Sequence, residues 1–258
     1  MKSYHRKASV LMQLGRLAEA KEINRLSLSI KSDDVELLSQ CDKINDMIVI
    51  RGFAESINSS WTRQLNIDPD SETEIDREGN PPNTQSRQVV SGHYVPVRPT
   101  PLSNPQLIAY TLDIATALGL NQQFCSNSPA FVKFFSGQMA AIPTGLDGMP
   151  GMSFATGYAL SIYGQEMKSN CPFGNGNGYG DGRAISVAEV VNPATRQRWE
   201  MQLKGAGGTP YRRGGDGRAT LRSSVREFLA SEAMHNLGTA VQYFTYLATN
   251  LNPTYKYT

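Results

Sequence analysis

Residues 199–238 read WEMQLKGAGGTPYRRGGDGRATLRSSVREFLASEAMHNLG. In a chain with only 19% charged residues, one lysine, Lys204, ends an apolar strand. Arg212, Arg213, Arg218, Arg222 and Arg226 crowd behind it, and Glu227 sits in the helix that follows. The two-residue period of a strand puts Trp199, Met201 and Leu203 on one face and Glu200, Gln202 and Lys204 on the other. Further on, Leu221, Val225, Phe228 and Leu229 form the apolar stripe of a helix, expected to pack inward. Core packing gives no reason to gather one lysine and these arginines around glycines. Fixed cations beside exposed backbone are what a multiply charged anion needs.

Upstream, NPAT (192–195) reads as the turn of a hairpin whose first strand runs from about Ala184 to Val191. Ahead of it lies FGNGNGYGDGRA, in which Gly174, Gly176, Gly178, Gly180 and Gly182 alternate with small or polar residues. Such a run lets backbone N–H groups approach phosphate oxygens. It is neither a Walker A loop, since no GK[ST] ends it, nor the dinucleotide GxGxxG, since a strand follows it. A plain flexible turn fits the run as well as a phosphate cradle. Lys204 alone reads equally as a solvated strand end, and Glu227 as half of a surface ion pair. The ordered set of glycine loop, strand, turn, strand ending in lysine and helix carrying a glutamate is the order of parts in a kinase-like N-terminal lobe, where the lysine holds phosphates and the glutamate holds the lysine.

Composition sets the limits. With 258 residues, 40% of them hydrophobic, the chain can bury a sizeable core. The formal net charge of +2 argues against a general nucleic-acid or membrane partner, so basic chemistry must come from local clustering. Cys41, Cys125 and Cys171 are far apart and form no CxxC pair, which points to a reducing compartment rather than a disulfide framework or zinc site. No apolar run is long enough to span a bilayer. The start is basic and free of acids until Glu19, which fits a transit peptide as well as a plain helix.

The first residues have a character of their own. Tyr4, Ala8, Leu11, Gly15, Leu17 and Ala20 lay out a helix, a glycine turn and a second helix running to about Ile30, and VELLSQCDKINDMIVI begins a third. This resembles a tetratricopeptide (TPR) repeat, although Asn24 and Ser27 stand where large residues are usual. One and a half repeats bury no continuous face, so the segment reads as a packing hairpin or as a module for a protein partner. Residues from about Asn66 to Gln88 are polar and proline-rich, a linker or surface loop. Prolines then keep the chain extended to about Pro105, after which a helix is expected to carry Leu107, Ile108, Leu112, Ile114 and Leu118. AFVKFFSG suggests another.

The strings QLKGAGGTPYRRGGDGRATLRSSVREFLASEAMH, YGDGRA, CPFGNGNG and VRPTPLSNPQLIAY closely resemble the selenoprotein O (SelO) family over roughly His93 to Gly238. That resemblance implies a kinase-like fold and protein adenylyltransferase activity, with AMP passing from ATP to hydroxyls of protein substrates. It assigns ATP contacts to Gly180, Gly182 and Arg183, to Lys204, and to Asp216 and Gly217, and makes Glu227 the ion-pair partner of Lys204. It also suggests a mitochondrial location, beside the cytoplasmic one that cysteine usage allows. The family's catalytic aspartate and its magnesium ligands have no counterpart in TAVQYFTYLATNLNPTYKYT, which follows Gly238. The expected fold class is therefore α+β: a truncated kinase-like (pseudokinase) N-terminal lobe preceded by an α-helical TPR-like hairpin. Its expected parts are 1–53 helical segment, 54–92 linker or loop, 93–238 lobe with the nucleotide-binding elements, and 239–258 divergent tail. The chain is expected to be an incomplete, inactive fragment whose Mg2+ ligands lie elsewhere.

Overall fold

The computed structural model describes residues 2–69, 84, 87, 89, 91–120, 122–141, 153–157, 182–212, 215–238 and 246–250. They form two compact units, Met1–Ala54 and Glu55–Thr258.

The first unit is helical: α1 (Lys2–Gln13), α2 (Leu17–Ile30) and α3 (Val35–Ser56), whose last turn runs past the unit boundary. Gly15 has φ +69°, a left-handed position that costs glycine little, and ends α1. Asp34 starts α3, its Oδ1 accepting from the N–H groups of Glu36 (3.1 Å) and Leu37 (3.3 Å). Leu11, Ala20 and Ile44 form the core with Met12, Ile23 and Ile48 against them. Burying a leucine or isoleucine of this kind contributes about 1.5–3 kcal/mol. Asn24 and Ser27, where the repeat pattern would place large residues, are buried and polar. Asn24 Nδ2 donates to Leu37 O (3.0 Å) and Gln40 Oε1 (3.1 Å), and Gln40 Nε2 donates to His5 O (3.0 Å) and Ser9 Oγ (2.9 Å). A hydrogen-bonded layer thus crosses the three helices where an aromatic would have filled space; its amide donors are satisfied, while Asn24 Oδ1 is buried and accepts no hydrogen bond among the described residues.

The second unit runs α4 (Trp61–Gln64), β1 (Tyr94–Pro96), β2 (Pro105–Tyr110), α5 (Leu112–Ala117), α6 (Gln122–Asn127), α7 (Pro129–Phe135), a 3-10 turn (Met139–Ala141), β3 (Phe154–Thr156), β4 (Ala184–Val191), β5 (Arg198–Lys204), α8 (Leu221–Asn236) and β6 (Tyr246–Asn250). Its main sheet is antiparallel in the order β1-β3-β4-β5, and β2 pairs with β6 in a separate ribbon. The hairpin falls where the NPAT turn predicts. Asn192 Oδ1 accepts from Ala194 N (2.8 Å) and Thr195 N (3.1 Å), closing that turn.

Three expectations change. Leu107 and Ile108 belong to strand β2, not to a helix, and α5 begins only at Leu112. The chain before Pro105 is irregular, and Pro105 itself opens the pairing of β2 with β6, a position proline tolerates. The stretch 54–92 is more than a linker: Ile57 bridges to Val190 and Ile67 to Tyr94, and Asn58 N–H donates to Glu189 O (2.8 Å). Glu189 explains why the segment settles there. Its carboxylate is 4% exposed yet accepts from Ser60 Oγ (2.7 Å), from the N–H groups of Ser60 and Trp61, and from Arg198 Nη1 (3.4 Å). A buried charge needs such partners, and a polar segment supplies them. Finally, the expected stripe of α8 packs only in part: Leu221, Val225 and Phe228 are half-buried, none is fully buried, and Leu229 is 61% exposed. A stripe shows only that a helix has an apolar side and does not fix what lies against it.

Candidate functional site

The hairpin's open end positions the predicted residues. Ala184 pairs with Lys204 across β4 and β5, and the ladder continues one step, with Gly205 N–H donating to Arg183 O at 2.7 Å. Gly205 then turns with φ +82°, and a methyl there would meet Ala219 Cβ at 2.2 Å. Gly217 has φ +72°, and its methyl would meet Gly207 O at 2.2 Å. Only glycine lets these two loops touch backbone to backbone. Ala206 bridges to Arg218, Ala219 N–H donates to Gly205 O (3.3 Å), and Thr100 N–H donates to Ala206 O (2.7 Å). Asp216 holds the second loop from within, its Oδ1 accepting Arg218 N–H at 2.9 Å.

Gly182, Arg183, Lys204, Asp216, Gly217 and Glu227 are therefore connected through this end of the sheet and the first part of α8. Gly174, Gly176, Gly178 and Gly180 lie outside the described residues. Cationic side chains dominate: Lys204 and Arg222 are exposed, and Arg183, Arg212 and Arg218 are half-buried. Arg212 Nη1 donates to Gly215 O (2.6 Å) and Arg218 Nη2 to Pro101 O (3.1 Å), so both guanidiniums are anchored in the loops.

The expected Lys204–Glu227 ion pair is replaced by another. Glu227 Oε1 lies 3.8 Å from Arg183 Nη2, with both side chains 40% exposed. Strand alternation gives the reason. Lys204 shares a face with its partner Ala184, which directs the preceding Arg183 to the opposite face.

Tyr211, Thr100 and Ala219 also build the site and were not singled out from sequence. Tyr211 is 3% exposed inside a run of glycines and arginines. A lone aromatic in so polar a loop was the available signal.

A cation-lined surface beside glycine turns suits a polyphosphate. Among the described residues no group of three or more His, Cys, Asp or Glu side chains could hold a metal ion. No described helix is long and apolar enough to cross a membrane.

A family model described as Protein adenylyltransferase SelO matches residues 82–249. It starts ahead of His93 and runs past Gly238 into the segment expected to diverge. Protein nucleotidyltransferase YdiU of Azoarcus sp. is 42% identical over 182 residues, covering 70% of this chain and 29% of that protein. The Methylobacillus flagellatus protein of the same name is 49% identical over 157 residues, covering 60% and 27%. That of Xanthomonas campestris pv. campestris is 44% identical over 161 residues, covering 62% and 27%. The chain thus spans less than a third of the length of these relatives.

Proposed function

The chain belongs to the family described as protein adenylyltransferase SelO, and from that premise we propose that it forms the nucleotide-binding part of a protein that transfers AMP from ATP to Ser, Thr or Tyr hydroxyls of other proteins. The observation that carries this reading is the joining of Arg183, Lys204 and the Asp216–Gly217 turn at one end of the β4–β5 hairpin. The sequence of β4, turn, β5 and α8 supports a kinase-like N-terminal lobe, here only part of the catalytic body.

In the proposed reaction the substrate hydroxyl oxygen attacks the α-phosphorus of ATP. The bond from that phosphorus to the bridging oxygen breaks, pyrophosphate leaves, and the hydroxyl proton passes to a base. Lys204 and Arg183 neutralise phosphate oxygens from the two faces of the hairpin's open end, across which the nucleotide would lie, and Gly182 and Gly217 let the neighbouring loops close on it backbone to backbone. Gly180 is assigned a nucleotide contact on the resemblance alone. Asp216 orders its loop through Arg218 N–H, and Glu227 restrains Arg183. Magnesium, when bound, would balance phosphate charge. No described residue is assigned as its ligand or as the proton-accepting base.

A second reading, a nucleotide-binding scaffold without transfer, is favoured by one observation. The helical unit leaves Leu14, Ile30 and Val35 exposed at 63%, 66% and 78%, as a partner-binding module would. ATP labelled at the α or γ position, incubated with a lysate and the protein, separates these. Transfer of α-label supports adenylylation, and transfer of γ-label overturns it in favour of a kinase. ATP binding without either, by a full-length protein that contains this chain, favours the scaffold.

A further inference from the structure

We infer that Tyr211 is a positioning residue for the nucleotide site, clamping the two backbone points Gly157 and Gly182 that flank residues 158–181 and so setting Arg183 against the Lys204 loop. The inference rests on the nucleotide reading above. A tyrosine that is 3% exposed in a glycine and arginine loop must be packing against something, and two of the points it packs against are glycines. A methyl at Gly157, next to the end of β3, would lie 2.9 Å from Tyr211 Oη and 3.5 Å from Cζ. A methyl at Gly182 would lie 3.2 Å from the Tyr211 carbonyl oxygen. One residue therefore meets β3 through its side chain and the start of β4 through its main chain.

Tyr211 is itself held from two directions. Its N–H donates to Thr209 Oγ1 (3.2 Å), and Thr209 is fully buried. The carbonyl of the preceding Pro210 accepts from Arg87 N–H (3.2 Å), and Arg87 pairs with the buried Asp68. Gly182 is followed by Arg183, whose carbonyl receives Gly205 N–H. Displacing Tyr211 is therefore expected to shift the Arg183 guanidinium and to weaken its charge-assisted contact with an anion.

The test is titration of the full 258-residue chain with fluorescent methylanthraniloyl-ATP, with circular dichroism as the check on folding. Tyr211→Leu is expected to weaken binding roughly tenfold to a hundredfold while the far-UV spectrum is kept. Gly157→Ala is expected to weaken it too, because its methyl meets Oη. Gly157→Ala/Tyr211→Phe is expected to recover most of that loss, since Cζ at 3.5 Å is then an ordinary contact. Recovery by removing an oxygen is a result that general destabilisation would not produce. If Tyr211→Leu does not fold, the alanine and double variants decide the matter. Unchanged affinity in the folded Tyr211→Leu chain, or no recovery in the double variant, overturns the clamp while binding by the unaltered chain keeps the nucleotide reading. No binding by the unaltered chain overturns both.

Discussion

Glu227 Oε1 stands 3.8 Å from Arg183 Nη2, where the chain enters β4. With both groups 40% exposed, the pair contributes about 0–1 kcal/mol to folding, so its role is to aim the guanidinium rather than to hold the unit together. Arg183→Ala is expected to weaken ATP binding roughly tenfold to a hundredfold, the range of a lost charge-assisted bond of about 1.5–3 kcal/mol. Arg196→Ala, in the hairpin turn at the far end of the ladder, is expected to change it little. Equal losses in a titration would remove the phosphate role from Arg183.

Two glycines with similar dihedral angles separate conformational freedom from space. Gly15 (φ +69°) has nothing within 4 Å of an added methyl, whereas at Gly217 (φ +72°) the methyl would strike Gly207 O at 2.2 Å. Gly15→Ala is expected to cost about 1–2 kcal/mol, the left-handed penalty alone. Gly217→Ala adds a clash with backbone and is expected to cost at least twice as much, read from urea midpoints. Similar costs would mean that the two loops do not interlock.

Burial pushes the Cys125 thiol up to about 11, from an ordinary value near 9.0. The folded state therefore keeps its proton to higher pH than the unfolded state does. The stability this brings is intact below pH 9 and is lost as pH rises from about 9 to 11, by up to roughly 3 kcal/mol. Cys125→Val is expected to remove that part of the pH slope. A variant with the same slope as the parent would place the titration elsewhere, and Tyr94, whose hydroxyl burial also raises, would be the next candidate.

The hairpin was legible because period-two alternation and the NPAT turn are local signals, and the two strands formed at the expected residues. The helices α1, α2 and α3 were legible from their apolar spacing and from Gly15. What escaped was set by distant partners. Nothing within 54–69 announces that Ser60 and Trp61 will donate to a carboxylate more than a hundred residues away. Nor does the spacing of Lys204 and Glu227 reveal that strand alternation will place Arg183 beside the glutamate instead. Leu107 and Ile108 were misread because a short apolar run fits helix and strand alike.

Glu189 offers a direct check on that distant contact. It is 4% exposed and accepts from Ser60, Trp61 and Arg198. Glu189→Ala would leave two backbone N–H groups and a hydroxyl without their acceptor, a loss expected to cost about 2–4 kcal/mol. Limited proteolysis should then cut near residues 57–64 before the rest of the unit. Protection equal to that of the parent would show that residues 57–64 are held by something other than this carboxylate.

The final prediction concerns α8. An inward-facing stripe would make its leucines costly to replace, by about 2–5 kcal/mol each. Instead, Leu229 is 61% and Met234 40% exposed, Leu237 at the cap just past the helix is 77% exposed, and no residue of the helix is buried. Exposed apolar area of this kind promotes association through the hydrophobic effect, at about 25 cal/mol for each Å² removed from water. The paired change Leu229→Gln and Leu237→Gln is therefore expected to raise the concentration at which the chain stays monomeric, read by light scattering. It should leave the thermal midpoint within a few degrees, because glutamine keeps helix propensity close to that of leucine and no core contact is lost. Leu203→Gln, a change at a buried position of β5, supplies the contrast with a large fall in midpoint. If the α8 pair lowers the midpoint as Leu203→Gln does, the helix is packed along that side and the exposed face described here is wrong.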